Sequence, residues 1–259
     1  MEYPVPTEQR ATYPSLRGKR VLITGGGSGI GAGLVEGFAR NGADVTFFDI
    51  AEEDSKALTE RLTADGGTVR FERADLMDIP GLQALIARLI EEGGAYDILV
   101  NNAANDDRHD WKEVTPDYWD NRMGVNLKHH FFCAQAVAPG MQAKGAGAIV
   151  NLGSISWHLG IKDLPVYQTA KAAIEGLTRA LARELGDDGV RVTCVVPGNV
   201  RTPRQLKWYT PEGEKEIVDA QCLNGRLVPE DVAALVLFLA SDDARLLTGH
   251  EYFVDAGWR

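Results

Sequence analysis

The sequence predicts a doubly wound α/β fold, a sheet of seven parallel strands with helices on both faces. Three observations carry that expectation. Short apolar runs alternate with longer helical patterns from Arg20 to the C-terminus, which is the signature of repeated βαβ units. A glycine-rich turn, "TGGGSGIG", follows the first of these runs, and an aspartate, Asp49, closes the second.

The strands are read at "RVLIT" (20–24), "DVTFFD" (44–49), "TVRFER" (68–73), "DILVNN" (97–102), "GAIVNLG" (147–153), "VRVTCVVP" (190–197) and "EYFVDAG" (251–257). All are apolar, shorter than ten residues and flanked by Gly, Asp or Asn, as buried parallel strands are. Between them, apolar residues three and four apart predict helices near 29–41, 52–64, 80–92, 117–143, 165–186 and 229–240. The stretch from Gly198 to Asn224 breaks this rhythm with Pro203, Trp208, Tyr209 and Pro211. A long excursion at the carboxyl end of a strand is where such a fold covers its ligand, so a substrate lid is expected at about 198–224.

The chain has 259 residues, 44% of them hydrophobic and 25% charged, with no internal repeat or linker-like tract, which favours one domain over 18–259. Three prolines make residues 1–17 an irregular arm, expected on the surface or on a neighbouring subunit. A formal charge of -10 without clustered Lys and Arg opposes nucleic-acid binding. No run of eighteen apolar residues and no apolar leader occurs, so no membrane association and a cytoplasmic location are expected. Cys133, Cys194 and Cys222 are odd in number and widely spaced, which fits buried thiols better than disulfides or a metal site.

Gly25, Gly29 and Gly31, with Ser28 and Ile30 between them, sit between a strand and a helix. Glycine permits the sharp turn and brings backbone N–H groups and the helix dipole up to a pyrophosphate, the dinucleotide site of a Rossmann-type βαβ unit. Asp49 lies 24 residues after Gly25, close to the spacing at which a carboxylate accepts hydrogen bonds from an adenosine ribose. It would repel a 2′-phosphate, and residues 50–54 offer no Arg or Lys to bind one, so NAD is expected over NADP. The plainer alternative for Asp49 is a helix N-cap.

In "YQTAK", Tyr167 and Lys171 stand four apart and so share one helix face. A phenol ionises near pH ~10, and a neighbouring ammonium would lower that value and make Tyr167 an acid/base group. Ser154 follows the strand 147–153 and should emerge at the same carboxyl edge. Asn126 is an amide among apolar neighbours in a long helix, where it needs hydrogen-bond partners. Taken alone, Ser154 reads as a cap and Asn126 as a core amide.

"TGGGSGIG", "NNAA", Asn126, Ser154, "YQTAK" and "PGNVRT" occur in the order and spacing of the short-chain dehydrogenase/reductase superfamily, which the chain resembles over 18–259. The resemblance implies Tyr167 as general acid/base and Lys171 as its partner, also binding the nicotinamide ribose. Ser154 would orient the reacting oxygen, and Asn126 would hold a water that links Lys171 to solvent. Asp75 and Leu76 would contact adenine, Asn102 and Ala103 would line the cofactor, and Pro197, Gly198, Val200 and Thr202 would bind its nicotinamide end. Ala104 departs from the pattern, which usually has glycine there. A homotetramer is implied, with a homodimer as fallback.

Substrate choice should lie in polar and aromatic loops: "NDDRHD", "SISWHLG", "KWYTPEGE" and the final "DAGWR". Asn105, His158, Asn199 and Trp208, beside Ser154 and Tyr167, offer hydrogen bonds and an aromatic face suited to a small polyol. These loops resemble those of bacterial NAD-dependent aldose 1-dehydrogenases of the superfamily. That implies oxidation of a pentose, D-xylose first, at C1 to a lactone. L-arabinose, D-glucose, D-galactose and L-fucose stand as alternatives, differing by single hydroxyls or one carbon. A 3-oxoacyl carrier-protein reductase is a rival opposed by Asp49. A non-catalytic nucleotide-binding regulator is opposed by the intact Asn126, Ser154, Tyr167 and Lys171.

Overall fold

The computed structural model describes residues 11–207 and 209–259. Residues 1–10 of the expected arm, and Trp208, lie outside the described residues. Seven parallel strands form one sheet: β1 (Arg20–Thr24), β2 (Asp44–Asp49), β3 (Thr68–Arg73), β4 (Ile98–Asn101), β5 (Gly147–Leu152), β6 (Val190–Pro197) and β7 (Glu251–Val254). Their order is β3-β2-β1-β4-β5-β6-β7, and the direction of winding reverses between β1 and β4.

Alternation along each strand builds two cores. Val21 and Ile23 of β1, Val45 and Phe47 of β2, and Ile98 and Val100 of β4 pack on one face with Leu34 and Phe38 of α1 (Gly29–Arg40). Leu22, Phe48 and Leu99 point the other way. They meet α3 (Ile79–Gly93) through Ile86 and Leu89. A parallel strand buried on both faces needs apolar residues at every position, which is why these strands read as continuous runs. The helix α2 (Glu52–Ala64) completes the first half.

The expected helix over 117–143 is divided. α4 (Pro116–Met123) and α5 (His129–Lys144) are joined by one π turn, Gly124–Lys128. A π turn inserts a residue into the helical ladder and re-aims what it carries, here Asn126. Two helices were not anticipated: α6 (Ile155–Leu159), whose N-cap is Ser154, and α8 (Pro211–Asp219). The start of α8 was legible, since Thr210 Oγ1 accepts from Gly213 N at 3.1 Å and Pro211 follows the cap. α7 (Pro165–Leu185) and α9 (Pro229–Ala240) lie where the periodicity predicts them.

The described part of the expected arm is more ordered than an irregular strap. Pro14–Leu16 forms a 3-10 turn, Leu16 is buried, and Tyr13 N donates to Asn41 Oδ1 at 2.8 Å. All three cysteines are free, and Cys133 and Cys194 are buried as expected. Cys222 corrects the expectation: it is exposed, its thiol donating to the Gly257 carbonyl at 3.2 Å. Among the described residues, no helix is long and apolar enough to cross a membrane.

Candidate active site

A cleft of about 810 Å³ crosses the carboxyl edge of the sheet where the winding reverses, the usual ligand position in a doubly wound fold. Its floor is the glycine turn. Gly25 has φ +68°, and a Cβ there would stand 2.8 Å from Ala103 Cα. A Cβ on Gly31 would stand 1.8 Å from the Gly25 carbonyl oxygen, closer than any contact allows. Asn102 ties β4 to this turn, donating from Nδ2 to the carbonyls of Thr24 at 3.0 Å and Gly25 at 2.8 Å. The turn therefore keeps a bare backbone and the N-terminus of α1 facing the cleft, and Ser28, Gly29 and Ile30 line it.

Asp49 is not the cap of α2, a position taken by Ala51. Its Oδ2 accepts from Gly27 N and its Oδ1 from Ala51 N, both at 2.8 Å, so two backbone groups fix the carboxylate at the cleft wall. Further along that wall stand Asp75 and Leu76, and at the other end Pro197, Gly198, Val200 and Thr202. Ala104 also lines the cleft. Among described non-glycine residues only Asp163 and Ala256 have positive φ, so the alanine in place of glycine introduces no left-handed strain. The bare turn, the helix N-terminus and the fixed carboxylate fit a nicotinamide dinucleotide.

Tyr167 and Lys171 project from α7 as their spacing requires, with Lys171 Nζ 5.6 Å from the Tyr167 ring centre. Lys171 is 1% exposed and donates to the Leu152 carbonyl at 2.7 Å. Burial pulls its ammonium down to about 8. Tyr167 differs from expectation, because burial raises its phenol and the Asp106 carboxylate raises it further. Opposing these are a hydrogen bond with Ser154 and the Arg204 guanidinium. Desolvation disfavours the charged form of each group and is the largest influence on both.

Ser154 Oγ lies 2.9 Å from Ser156 Oγ at the start of α6 and faces the cleft. Asn126 is fully buried, and its amide is committed to the protein: Oδ1 accepts from Asn105 N at 2.7 Å, while Nδ2 donates to the carbonyls of Asn105 and Arg122, each at 3.0 Å. Both amide protons are used, so the side chain grips the Asn105 loop.

Asn105 and Asn199 line the cleft. His158 does not. Its Nε2 lies 2.7 Å from Glu175 Oε1, which also accepts from Trp157 Nε1 at 2.8 Å. Glu175 is buried and needs those partners, which draws both rings away from the substrate side. Trp258 lines the cleft, and so do Asp106, Arg204 and Gln205, which sequence reasoning did not single out. Asp106 was within reach of that reasoning, since it lies in the polar stretch "NDDRHD".

Residues 25–259 match the family model described as "Enoyl-(Acyl carrier protein) reductase". The chain belongs to the short-chain dehydrogenase/reductase family and is an oxidoreductase acting on CH–OH groups. It is 66% identical over 249 residues to the D-xylose 1-dehydrogenase of Caulobacter vibrioides, covering 96% of this chain and 99% of the relative. It is 46% identical to the probable galactose dehydrogenase GalD of Rhizobium meliloti, over 95% of this chain and 96% of that one. Among solved structures, 7α-hydroxysteroid dehydrogenase complexed with NADH and 7-oxo glycochenodeoxycholic acid superposes with a TM-score of 0.89. Identity is 30%, over 94% of this chain and 96% of that one.

Proposed function

We propose that the protein is an NAD-dependent aldose 1-dehydrogenase that oxidises D-xylose at C1 to the aldono-lactone. The observation that carries this reading is the match to a D-xylose 1-dehydrogenase along nearly the whole chain. The polar groups around Tyr167 support it: Asn105, Asp106, Asn199 and Gln205 give a small polyol hydrogen-bond partners where a steroid or acyl chain would need apolar walls.

In this reading Gly25, Ser28, Gly29, Ile30 and Gly31 hold the pyrophosphate, Asp49 the adenosine ribose, and Asp75 and Leu76 the adenine. Asn102, Ala103, Tyr167, Lys171, Pro197, Gly198, Val200 and Thr202 surround the nicotinamide half. Bound there, NAD supplies the acceptor for the hydride leaving C1. Tyr167, as phenolate, takes the proton of the C1 hydroxyl while the C1–O bond becomes a carbonyl. Ser154 Oγ donates a hydrogen bond to that oxygen, and the Lys171 ammonium stabilises the phenolate. Residues 198–224 act as lid, the protein works in the cytoplasm as a homotetramer, and residues 18–259 form its catalytic domain.

NADH formation by the purified protein, with NAD or NADP and a panel of aldoses, simple alcohols and an acetoacetyl thioester, tests the reading. D-xylose should give the highest kcat/KM; silence on every sugar would overturn the substrate assignment.

Asp49 bears on cofactor choice. Asp49→Ala should raise the NADP to NAD ratio of kcat/KM about tenfold, the equivalent of about 1.4 kcal/mol of removed repulsion. An unchanged ratio would remove Asp49 from the ribose site.

A further inference from the structure

Two consecutive side chains carry the 198–224 segment across the cleft to its opposite wall. Arg204 Nη2 donates to Asn105 Oδ1 at 2.9 Å and to Asp107 Oδ1 at 2.6 Å, and Arg204 Nε lies 3.3 Å from Asp106 Oδ1. Gln205 Nε2 donates to Asp106 Oδ2 at 2.6 Å. The receiving wall is held in turn, because the Asn105 main chain is gripped in both directions by Asn126 of the π turn. A continuous set of contacts thus runs from the 198–224 segment to the helix break beside the catalytic residues.

We propose that Arg204 is a positioning residue for the dehydrogenase reaction: with Gln205 it latches the 198–224 segment onto the Asn105–Asp107 loop and offsets the Asp106 charge beside Tyr167. The proposal rests on the reading of Tyr167 as the proton acceptor. A guanidinium suits the task because its planar donors engage several acceptors at once while its charge is permanent. Each pair is half-exposed and individually weak, so the latch can release for substrate entry.

The groups facing Tyr167 are few. Lys171 comes from its own helix, Asp106 from the loop after β4 and Arg204 from the 198–224 segment. Behind Lys171, His129 and His130 of α5 are held neutral by burial, with His129 lowered to about 3, and burial pushes the Cys194 thiol of β6 up to about 12. After burial itself, Asp106 raises the Tyr167 phenol and Arg204 lowers it. Closing the latch therefore brings the compensating cation to the carboxylate that opposes ionisation.

The test uses the full chain and four variants: Arg204→Ala, Arg204→Lys, Asp106→Asn, and the double Asp106→Asn/Arg204→Ala. Sugar oxidation needs the phenolate, so kcat rises with pH, and a higher Tyr167 ionisation moves that rise to higher pH. Arg204→Ala should move it up by about one pH unit and raise the sugar KM about tenfold, and Asp106→Asn should move it down. The double variant should return the rise near its original pH while KM stays high, and Arg204→Lys should recover the pH profile without recovering KM. Hydrogen–deuterium exchange of residues 203–219, measured on the protein alone, should lose protection in Arg204→Ala. A pH profile indifferent to both single substitutions, or unchanged exchange in Arg204→Ala, would overturn the proposal. If no sugar is oxidised, the substrate reading falls separately and exchange alone decides the latch.

Discussion

Tyr167→Phe should lower kcat/KM by about 10²–10⁴, the range of a general acid/base, while NADH binding followed by fluorescence stays near the parent value. The substitution removes one hydroxyl and keeps the ring that Lys171 faces. Ser154 then has no proton acceptor to work with, since its Oγ is a poor base and its near neighbour Ser156 is no better. In the parent enzyme the rise of kcat with pH should extend well above neutrality, because burial raises the phenol. Turnover preserved in purified Tyr167→Phe would end the assignment of this residue as the base.

Lys171→Met should abolish turnover and, at the same time, stabilise the fold. Burial lowers the ammonium from 10.5 to about 8. Below pH 8 the lysine is protonated in both folded and unfolded chains, so the native state carries the whole penalty of the buried charge, about 3 kcal/mol. Between about 8 and 10.5 the unfolded chain binds more protons, stability rises with pH, and above that interval the penalty is gone. Methionine fills the same space without the charge but loses the bond to the Leu152 carbonyl, about 1 kcal/mol. The net gain of about 2 kcal/mol should appear as a Tm some 5 °C higher at pH 7 and should disappear near pH 11. A lower Tm at neutral pH would show that the buried ammonium contributes more through its partners than it loses by leaving water. The expected result is a stability–function trade-off written in one side chain.

Strand positions and the glycine turn were legible because they depend on local rules: continuous apolar runs of strand length, turn chemistry and the backbone freedom of glycine. Tyr167 and Lys171 were legible for the same reason, since four residues is one helical turn. The break at Asn126 was not, because a π turn differs from an α turn by one displaced hydrogen bond that side-chain periodicity does not report. Nor was the Arg204 latch, whose partners lie 97 to 99 residues away and meet only when the sheet forms. His158 was singled out for its hydrogen-bonding ring, whose direction the sequence does not set. The demand of the buried Glu175 carboxylate for donors decided its direction.

The order of the strands also governs how the chain leaves the ribosome. β1, β2 and β3 can pair as soon as residue 73 emerges, yet β1 ends with neighbours on both sides, and the second of these is β4 at Ile98–Asn101. Until that strand arrives, the apolar row Val21, Leu22 and Ile23 presents an unpaired edge through its backbone N–H and C=O groups. An edge of this kind invites pairing between nascent chains. An interior strand of the finished sheet is thus an open edge during synthesis, and the rate at which residues 74–101 are translated sets how long that exposure lasts.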